Sequence, residues 1–416
     1  MSKVKVQKSV LNGEVTISGA KNSSLRLLAA SILTDDEIKL TNVPNGILDF
    51  QVHLEMLKVL GKTITTSKDI AYITNSVSSN ELTWDKRSIR NTLLILGALL
   101  TKTGYGKVPL PGGCKLGDRK FDLHIMAMEK MGAKVWEEDG YLVAKTEMGL
   151  HGSEIFLRIR STGATENSII MGVLAKGKTK VWNPHIRPEI IDLISMLNSM
   201  GAKIKVNGQE SIEIEGVKTL QGTTHKCIPD NMEALTFVIA TAITGGEVEI
   251  HNFPFEHLEI PMVYLRESGL KYYKSENGNS IIIKKSNIYP VEIATGPYPS
   301  LNSDMQPLFA IYGLMSNGES RITDLRFPGR YEYARELNKM GAKTEVDGDM
   351  LKLFGGNILH GAEVRSLDLR AGAAFVLAGL VAEGETIVTD FEQVERGYEY
   401  VIEKIKALDG NIDVVE

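Results

Sequence analysis

An internal repeat of about seventy residues is the feature that most constrains how this chain can fold. The end of a predicted helix, then a glycine, then an alternating strand occurs six times. The stretches are EMLKVLGKTI around Gly61, MAMEKMGAKV around Gly132, SMLNSMGAKI around Gly201, YLRESGLKYY around Gly269, ELNKMGAKTE around Gly341 and KIKALDGNID around Gly410. Their glycines lie 71, 69, 68, 72 and 69 positions apart. Each glycine follows a helix, where the left-handed backbone is favoured, so we expect these glycines to be structural caps.

A second element keeps the same period and defines the repeating unit. A turn followed by an alternating strand occurs in LTDDEIKLTNVP, KGKTKVWNP, GGEVEIHNFP, NGESRITDLRFP and EGETIVTDFEQ. Helices of small and apolar residues precede it, as in ENSIIMGVLA and AGAAFVLAGLVA. Each unit therefore reads as strand, helix, strand, helix, strand. Because 416 residues exceed one ordinary core, six units predict an α/β protein of two domains with three units each.

Composition excludes several classes of protein. The net charge of -5 gives no support for nucleic-acid binding. Two cysteines, Cys114 and Cys227, make no disulfide framework and favour a reduced, cytoplasmic protein. The apolar run from Leu93 to Leu100 is far shorter than the roughly 20 residues of a membrane helix. The N-terminus lacks the apolar segment of a signal peptide.

The loops that open the first helix of each unit are where the copies diverge, and function is expected there. They place Lys21 and Asn22 in ISGAKNSSL, Cys114 and Arg119 in LPGGCKLGDRKFDLH, Ser161, Thr162 and Gly163 in RIRSTGATEN, Asp304 in GPYPSLNSDMQP, and Arg370 in DLRAGAAF. Arg90 precedes the apolar helix in SIRNTLL, and Arg330 and Arg396 occupy equivalent places in the last two units.

These loops combine features that suit a small anionic ligand. Glycine-rich turns at helix N-termini present backbone N–H groups and the positive end of the helix dipole. The arginines and Lys21 add charge-assisted hydrogen bonds. The Cys114 thiol lies among cations, which favour its reactive thiolate. We therefore predict a polyanionic small-molecule substrate held between the two halves, with Cys114 placed to act on it.

Other chemistries lack their motifs. GYGK and GGCKLG complete neither a dinucleotide-binding fingerprint nor a P-loop. The eight histidines show no metal-ligand spacing, so we assign no metal and no other cofactor. Cys227 is interpreted as a packed small hydrophobe and His185 as a structural histidine.

Seven stretches resemble the enolpyruvyl transferase family, most closely its members that act on UDP-N-acetylglucosamine and more distantly the shikimate-pathway members. They are GEVTISGAKNSSL, PGGCKLGDRKFDLH, STGATEN, IPDNMEALTF, YPSLNSDMQP, DLRAGAAFVLAGLVAEGET and ERGYE. They occur in the family's order from residue 13 to residue 400. The resemblance implies a fold of two inverse α/β prisms. One domain would span residues 22–228, and the other residues 1–21 and 229–416.

The resemblance also implies a reaction, the first committed step of peptidoglycan synthesis. The enolpyruvyl group of phosphoenolpyruvate would pass to the 3-hydroxyl of UDP-N-acetylglucosamine, releasing phosphate through a tetrahedral intermediate. Cys114 matches the acid and the target of fosfomycin, and Asp304 matches the base. Both substrates are small molecules, and we expect no nucleic acid, no membrane, and a monomer or weak homo-oligomer.

The remaining site residues are assigned by position in the same resemblance. Lys21, Arg119 and Arg396 match cations around the phosphate, Arg330 and Arg370 match arginines on the carboxylate and intermediate, and Asn22 matches a donor to the intermediate. Arg90 resembles a residue that reaches the loop or the nucleotide. The expected nucleotide contacts are Arg119, Lys120, Phe121, Asp122, Leu123, His124, Arg160, Ser161, Thr162, Gly163 and Arg326.

Two alternatives remain open at this level. Asp118, Lys120, Arg160 and Arg326 depart from the family's usual residues, all on the nucleotide side. An enolpyruvyl transferase that uses a different nucleotide or nucleotide sugar is therefore the second hypothesis. A non-catalytic regulatory homologue is the third, and the presence of Cys114, Asp304 and Lys21 weighs against it.

Overall fold

The computed structural model describes residues 2–87, 89–111 and 121–415. The chain divides into unit 1, Met1–Ser18 with Pro229–Glu416, and unit 2, Gly19–Ile228. The domains expected from the sequence, residues 22–228 and residues 1–21 with 229–416, stay a prediction. The Ala20 N–H donates to the Ile228 carbonyl at 2.7 Å, and Lys21 forms an ion pair with Asp49, so these residues pack within unit 2.

The strands are short and mostly bury alternate residues. In chain order they are β1 (Lys3–Gln7), β2 (Asn12–Thr16), β3 (Ile38–Thr41), β4 (Thr63–Ser67), β5 (Ile70–Thr74), β6 (Tyr105–Pro109), β7 (Lys134–Glu138), β8 (Tyr141–Lys145), β9 (Glu154–Phe156), β10 (Lys178–Trp182), β11 (Lys203–Asn207), β12 (Ser211–Glu215), β13 (Thr223–Lys226), β14 (Glu247–His251), β15 (Lys271–Lys274), β16 (Ser280–Lys284), β17 (Glu292–Thr295), β18 (Glu319–Asp324), β19 (Lys343–Asp347), β20 (Met350–Phe354), β21 (Glu363–Arg365), β22 (Glu385–Thr389) and β23 (Asn411–Val415).

The helices fall between these strands. They are α1 (Lys21–Ala30), α2 (Leu48–Val59), α3 (Thr92–Thr103), α4 (Asp122–Lys130), α5 (Thr162–Gly172), α6 (Pro188–Ser199), α7 (Asn231–Thr244), α8 (Glu259–Glu267), α9 (Gln306–Met315), α10 (Tyr333–Lys339), α11 (Leu369–Gly379), α12 (Glu392–Glu395) and α13 (Val401–Ala407). Short 3-10 turns occur at Ser31–Leu33, Phe255–His257 and Ser303–Met305.

Each unit has three sheets among its described residues. The four-stranded orders are β13-β3-β5-β4 and β11-β12-β10-β9 in unit 2, and β15-β16-β14-β2, β17-β18-β20-β19 and β21-β22-β1-β23 in unit 1. In all five, a parallel outer strand pairs with the first strand of an antiparallel run. The sixth sheet, β6-β8-β7, has a parallel bridge from Glu81 to Lys107 where the other sheets have a fourth strand. The six predicted repeats are therefore six versions of one sheet topology.

The small-residue helices form the interior of each unit. Helices α3 and α5 pack together in unit 2, and α9 packs with α7 and α11 in unit 1. Almost every residue of these helices is buried, because most of their side chains are apolar or small and occur on all faces. The first residues of α1, α5 and α11, and the turn ahead of α9, are the loops that the sequence analysis singled out.

The repeat glycines act as helix caps in five of the six copies. Gly61, Gly132, Gly201, Gly269 and Gly341 have φ between 87° and 99°. The sixth copy departs from the prediction. Asp409 takes the left-handed position with φ 64°, one residue before Gly410. Aspartate tolerates this conformation better than most residues, so the cap survives the shift.

Candidate active site

Asp304 lies in the 3-10 turn that leads into α9 of unit 1. Asn302 begins this turn, and its Oδ1 accepts a hydrogen bond from the Asp304 backbone N–H at 3.1 Å. The Asp304 side chain remains partly exposed, at 31%. The turn therefore places a partly exposed carboxylate at the N-terminus of a buried helix.

Three of the predicted site residues meet at this carboxylate. Arg330 Nη1 donates to Asp304 Oδ1 at 3.1 Å, and Arg370 Nε lies 3.7 Å from Asp304 Oδ2. One aspartate thus lies between two guanidinium groups that come from distant parts of the chain. This arrangement can bind an anion and accept a proton within the same few ångströms.

Arg330 is held by a second carboxylate that the sequence analysis did not identify. Arg330 Nη2 donates to Asp368 Oδ2 at 3.0 Å, while Asp368 Oδ1 caps α11 by accepting from the backbone N–H groups of Arg370 and Ala371. Burial opposes the charge on Arg330, but Asp304 and Asp368 outweigh burial and raise the pKa of Arg330. Arg330 is therefore a permanent cation with a fixed orientation.

Arg370 is almost completely buried, and its guanidinium is only partly satisfied. Among the described residues, no hydrogen-bond partner exists for its Nε and Nη1. Its guanidinium carbon lies 5.4 Å from the centre of the Tyr398 ring, and the Tyr398 hydroxyl is 2.9 Å from Thr236 Oγ1. Burial opposes the Arg370 charge, yet Tyr398 and Asp304 raise its pKa. Buried donors without acceptors are uncommon, and an anionic ligand would satisfy these two.

Arg396 and Arg326 lie elsewhere in unit 1. Arg396 follows α12 directly, is largely buried, and donates from Nη1 to Gln393 Oε1 at 3.1 Å. The Arg326 guanidinium lies 5.7 Å from the Phe327 ring, and the Arg326 backbone N–H donates to Asp324.

In unit 2, Lys21 begins α1 and forms a buried ion pair. Its Nζ lies 2.6 Å from Asp49 Oδ2, and Asp49 is in the first turn of α2. Asn22 follows in the same helix turn and is half-buried. Asp49 was not among the predicted site residues, although it restrains the ammonium group that was.

The N-terminus of α4 carries the next predicted group. Phe121 precedes the helix, and Asp122, Leu123 and His124 form its first turn. Asp122 Oδ2 accepts from Arg158 Nη2 at 2.5 Å, and both side chains are exposed. The Asp122 carboxylate is thus already paired with a cation.

His124 is buried and neutral. Its Nδ1 lies 3.1 Å from the Asn167 amide nitrogen, which also donates to the Leu93 carbonyl. Burial, reinforced by the charge of Arg90, lowers the pKa of His124 to about 3. Because Nδ1 accepts from the amide, the neutral ring carries its proton on Nε2. Arg90 itself lies just before α3.

The remaining predicted contacts surround the N-terminus of α5. Ser161 caps the helix by accepting from the Ala164 N–H, and Thr162 Oγ1 lies 2.8 Å from His185 Nδ1. A Cβ at Gly163 would approach His124 Nε2 to 2.9 Å, so only glycine fits beside that imidazole. Arg160 Nε donates to Asn183 Oδ1 at 3.3 Å. Two predicted groups, on α4 and α5, are therefore in direct contact.

Three predicted site residues, Cys114, Arg119 and Lys120, lie outside the described residues. Cys227 is buried, as interpreted from the sequence. No helix in the described part of the chain is long and apolar enough to cross a membrane. Glu14, Glu249 and His251 form a cluster on β2 and β14 that metal-ligand spacing in the sequence did not indicate.

Comparison with known proteins identifies the family. Residues 6–405 match EPSP synthase (3-phosphoshikimate 1-carboxyvinyltransferase). The chain belongs to the enolpyruvyl transferase family. The UDP-N-acetylglucosamine 1-carboxyvinyltransferase of Finegoldia magna is 39% identical over 424 residues, which cover 100% of this chain and 99% of the relative. UDP-N-acetylglucosamine 1-carboxyvinyltransferase 2 of Carboxydothermus hydrogenoformans is 40% identical over 411 residues, 98% of each chain.

Solved structures of enolpyruvyl transferases share the fold. The enolpyruvyl transferase NikO from Streptomyces tendae has a TM-score of 0.89 at 22% identity, covering 100% of this chain and 99% of the other. An EPSP synthase from Acinetobacter baumannii has a TM-score of 0.77 at 19% identity, with 100% of both chains covered. The predicted fold class is confirmed, and the chain is a transferase of this family.

Proposed function

We propose that the protein transfers the enolpyruvyl group of phosphoenolpyruvate to the 3-hydroxyl of UDP-N-acetylglucosamine and releases phosphate. The observation that carries this proposal is the Asp304 carboxylate between the guanidinium groups of Arg330 and Arg370. It offers a proton acceptor beside cations, and the activity in the names of the relatives requires both.

The addition step needs one base and one acid. Asp304 accepts the proton of the sugar hydroxyl while the hydroxyl oxygen bonds to C2 of phosphoenolpyruvate. The electron pair of the C2–C3 double bond takes a proton at C3, and Cys114 is proposed to donate it. The product of this step is a tetrahedral intermediate that carries carboxylate, phosphate and sugar on C2.

In elimination, the Cys114 thiolate left by the addition is proposed to take a proton from the C3 methyl group, and the electron pair of that C–H bond forms the C2–C3 double bond again. The bond between C2 and the phosphate oxygen breaks, and the phosphate leaves with its electron pair and takes the proton that Asp304 accepted. Arg330 and Arg370 are proposed to bind the carboxylate and the intermediate, because both remain charged. Lys21, Arg119 and Arg396 are proposed to bind the phosphate that leaves, and Asn22 donates to the intermediate.

The acceptor is proposed to bind along α4 and α5. The peptide N–H groups at the start of α5 and the side chains of Ser161 and Thr162 suit a diphosphate. This function places the protein in the cytoplasm, at the first committed step of peptidoglycan synthesis and so in cell-wall formation and division. Cys114 would then be the residue that fosfomycin alkylates.

A second candidate keeps the reaction but changes the acceptor. Arg158 pairs with Asp122 at 2.5 Å, and Arg160 donates to Asn183 beside the α5 N-terminus. Asp122 balances the charge of Arg158, but the partner of Arg160 is neutral, so Arg160 favours an acceptor that presents more negative charge, such as a different uridine nucleotide.

The test is phosphate release from phosphoenolpyruvate with UDP-N-acetylglucosamine, UDP, UMP or no acceptor. We expect release that requires UDP-N-acetylglucosamine. Asp304→Ala should lose most turnover yet still bind the nucleotide sugar, while Asp347→Ala, an exposed carboxylate paired with Lys352, should behave as wild type. Release with another acceptor but none with UDP-N-acetylglucosamine would contradict the proposal.

A further inference from the structure

One position of the repeat carries an asparagine in three copies and an aspartate in two. In each of these five copies, the residue at this position is the last residue of the strand that pairs with the parallel outer strand, or the residue directly after that strand. The asparagines have left-handed backbones, and each amide nitrogen donates to the carbonyl of the residue opposite. The pairs are Asn42 with Cys227 at 2.8 Å, Asn183 with Leu157 at 2.8 Å, and Asn252 with Ile17 at 2.9 Å.

Asp324 occupies this position in the copy that carries Asp304. An ionised carboxylate has no hydrogen to donate, so the asparagine bond cannot form here. Asp324 Oδ1 instead accepts from the hydroxyl of Thr295, the residue opposite, at 2.7 Å. In the copy beside the candidate site, the side chain at this position therefore accepts a hydrogen bond from the opposite residue, where the asparagines donate one.

The Asp324 carboxylate accepts five hydrogen bonds and is completely buried. The donors are Thr295 Oγ1, Ser303 Oγ, Gln306 Nε2, and the backbone N–H groups of Arg326 and Phe327. Within the described residues, no lysine or arginine nitrogen forms an ion pair with it. Neutral donors thus supply every hydrogen bond that the structure gives this buried charge, which makes their geometry essential.

Two of these donors flank Asp304 in the chain. Ser303 precedes Asp304, and Gln306 begins α9 two residues later. Gln306 Nε2 also donates to the Arg330 carbonyl at 3.0 Å, and its Oε1 accepts from the Tyr333 hydroxyl at 2.6 Å. Asp324 therefore fixes the turn that carries Asp304 and, through Gln306, the backbone of Arg330.

We propose that Asp324 is a positioning residue, which holds Asp304 and Arg330 in the relative placement that the reaction requires. The part concerning catalysis rests on the proposed function. The part concerning the turn does not, because it follows from the hydrogen bonds alone. Displacing a catalytic group by about 1 Å can lower the reaction rate about 100-fold. Loss of the hydrogen bonds to Asp324 should therefore lower kcat substantially.

Asp324→Asn is the sharpest variant. The amide has the size of the carboxylate, but its NH2 group cannot accept a hydrogen bond. In one orientation it would face the donors Ser303 and Gln306, and in the other the donor Thr295, so at least one of these hydrogen bonds is lost. Asp390→Asn is the matched control. Asp390 has the equivalent repeat position, but its partner is the exposed Arg365, with Arg365 Nε 2.6 Å from Asp390 Oδ2.

Two measurements distinguish an effect of Asp324 on the Asp304 turn from an effect on the reaction. Hydrogen–deuterium exchange without substrates should increase at residues 303–306 and 326–331 in Asp324→Asn and stay unchanged there in Asp390→Asn. With substrates, Asp324→Asn should lower kcat by about 10- to 100-fold while KM for UDP-N-acetylglucosamine changes less than about threefold. Asp390→Asn should retain wild-type kcat.

The outcomes are distinct. Wild-type exchange and wild-type kcat in Asp324→Asn would overturn the positioning role. Faster exchange with unchanged kcat would also overturn it, because the turn would then move without consequence. Equal losses of kcat in both variants would mean a general effect of the repeat position and would contradict the proposal. A wild-type protein that does not turn over these substrates would refute the proposed function, while the exchange data would still decide whether Asp324 fixes the turn.

Discussion

Asp368 binds Arg330 with one carboxylate oxygen and caps α11 with the other. The distances are 3.0 Å from Oδ2 to Arg330 Nη2 and 2.8 Å from Oδ1 to the Arg370 N–H. One side chain therefore sets the orientation of Arg330 and the start of the helix that carries Arg370. The two functions can be separated by substitution, because a helix cap needs only an oxygen acceptor.

Asp368→Ser should keep the cap and lose the ion pair, whereas Asp368→Ala should lose both. We expect both variants to lose at least about tenfold in kcat/KM for phosphoenolpyruvate, since a charge-assisted bond contributes about 1.5–3 kcal/mol. The alanine variant should be less stable than the serine variant by about 1 kcal/mol. Urea unfolding and steady-state kinetics measure the two effects. Full activity in Asp368→Ser would show that Arg330 needs no second carboxylate.

Gly163→Ala should weaken acceptor binding. The new Cβ would lie 2.9 Å from His124 Nε2, so α4 and α5 must separate at the predicted nucleotide contacts. We expect KM for UDP-N-acetylglucosamine to rise about tenfold, the equivalent of about 1.4 kcal/mol. Gly172→Ala is the control in the same helix, because its Cβ would meet Ile214 Cδ1 at 2.9 Å. It should cost about 1–3 kcal/mol of stability and leave KM unchanged. A rise in KM for both variants would argue against a local role for Gly163.

Acid should destabilise unit 2 through two buried histidines. Burial lowers the pKa of His53 and of His124 to about 3, below the ordinary value of 6.5. The unfolded chain then binds more protons than the folded chain between these values. Stability that is present above pH 6.5 is therefore lost as the pH falls toward 3.

Replacing either histidine with glutamine should flatten this dependence. We expect the slope of the unfolding free energy to fall by about 1.4 kcal/mol per pH unit for each residue replaced. Urea unfolding at a series of pH values measures the slope. An unaltered slope in both His53→Gln and His124→Gln would contradict the assignment of neutral buried rings.

The thiol assignment predicts a selective effect of fosfomycin. The drug should add one equivalent to the wild-type protein and none to Cys114→Asp, which should retain turnover because a carboxylic acid can also donate a proton. Cys227 is buried, so Cys227→Ala should be labelled as fully as wild type. Mass spectrometry of the labelled peptides checks this directly. Labelling of Cys114→Asp would place the reactive group elsewhere.

The repeat predicted most of the fold, because its signals are local. A helix, a left-handed glycine and an alternating strand follow from neighbouring residues, and Gly61 and Gly201 behave as expected. The position of the first boundary does not follow, since it depends on the bond from Ala20 to Ile228, residues far apart in the chain. The chain's own sequence carries no signal for that pairing.

The cations of the candidate site and Asp304 were predicted from the sequence, whereas Asp368 and Asp49, which pair with Arg330 and Lys21, were missed. Arg330 and Arg370 stood out at repeat-related positions, and the structure brings both to Asp304. In the sequence, Asp368 resembles an ordinary helix cap in DLRAGAAF, and Asp49 resembles an ordinary acidic residue in the first turn of a helix. Neither residue therefore differed from a structural one. Asp324 did carry a signal, because an aspartate replaces the asparagine of other copies.

The most direct test of the proposed reaction is its product in D2O. Addition places a solvent-exchanged proton on C3 to form a methyl group, and elimination removes one of its three hydrogens. Mass spectrometry should therefore find UDP-N-acetylglucosamine carrying an enolpyruvyl group with deuterium at C3, together with free phosphate. Phosphate released with the nucleotide sugar unchanged, or an enolpyruvyl product free of deuterium, would contradict the addition–elimination reaction proposed for Cys114 and Asp304.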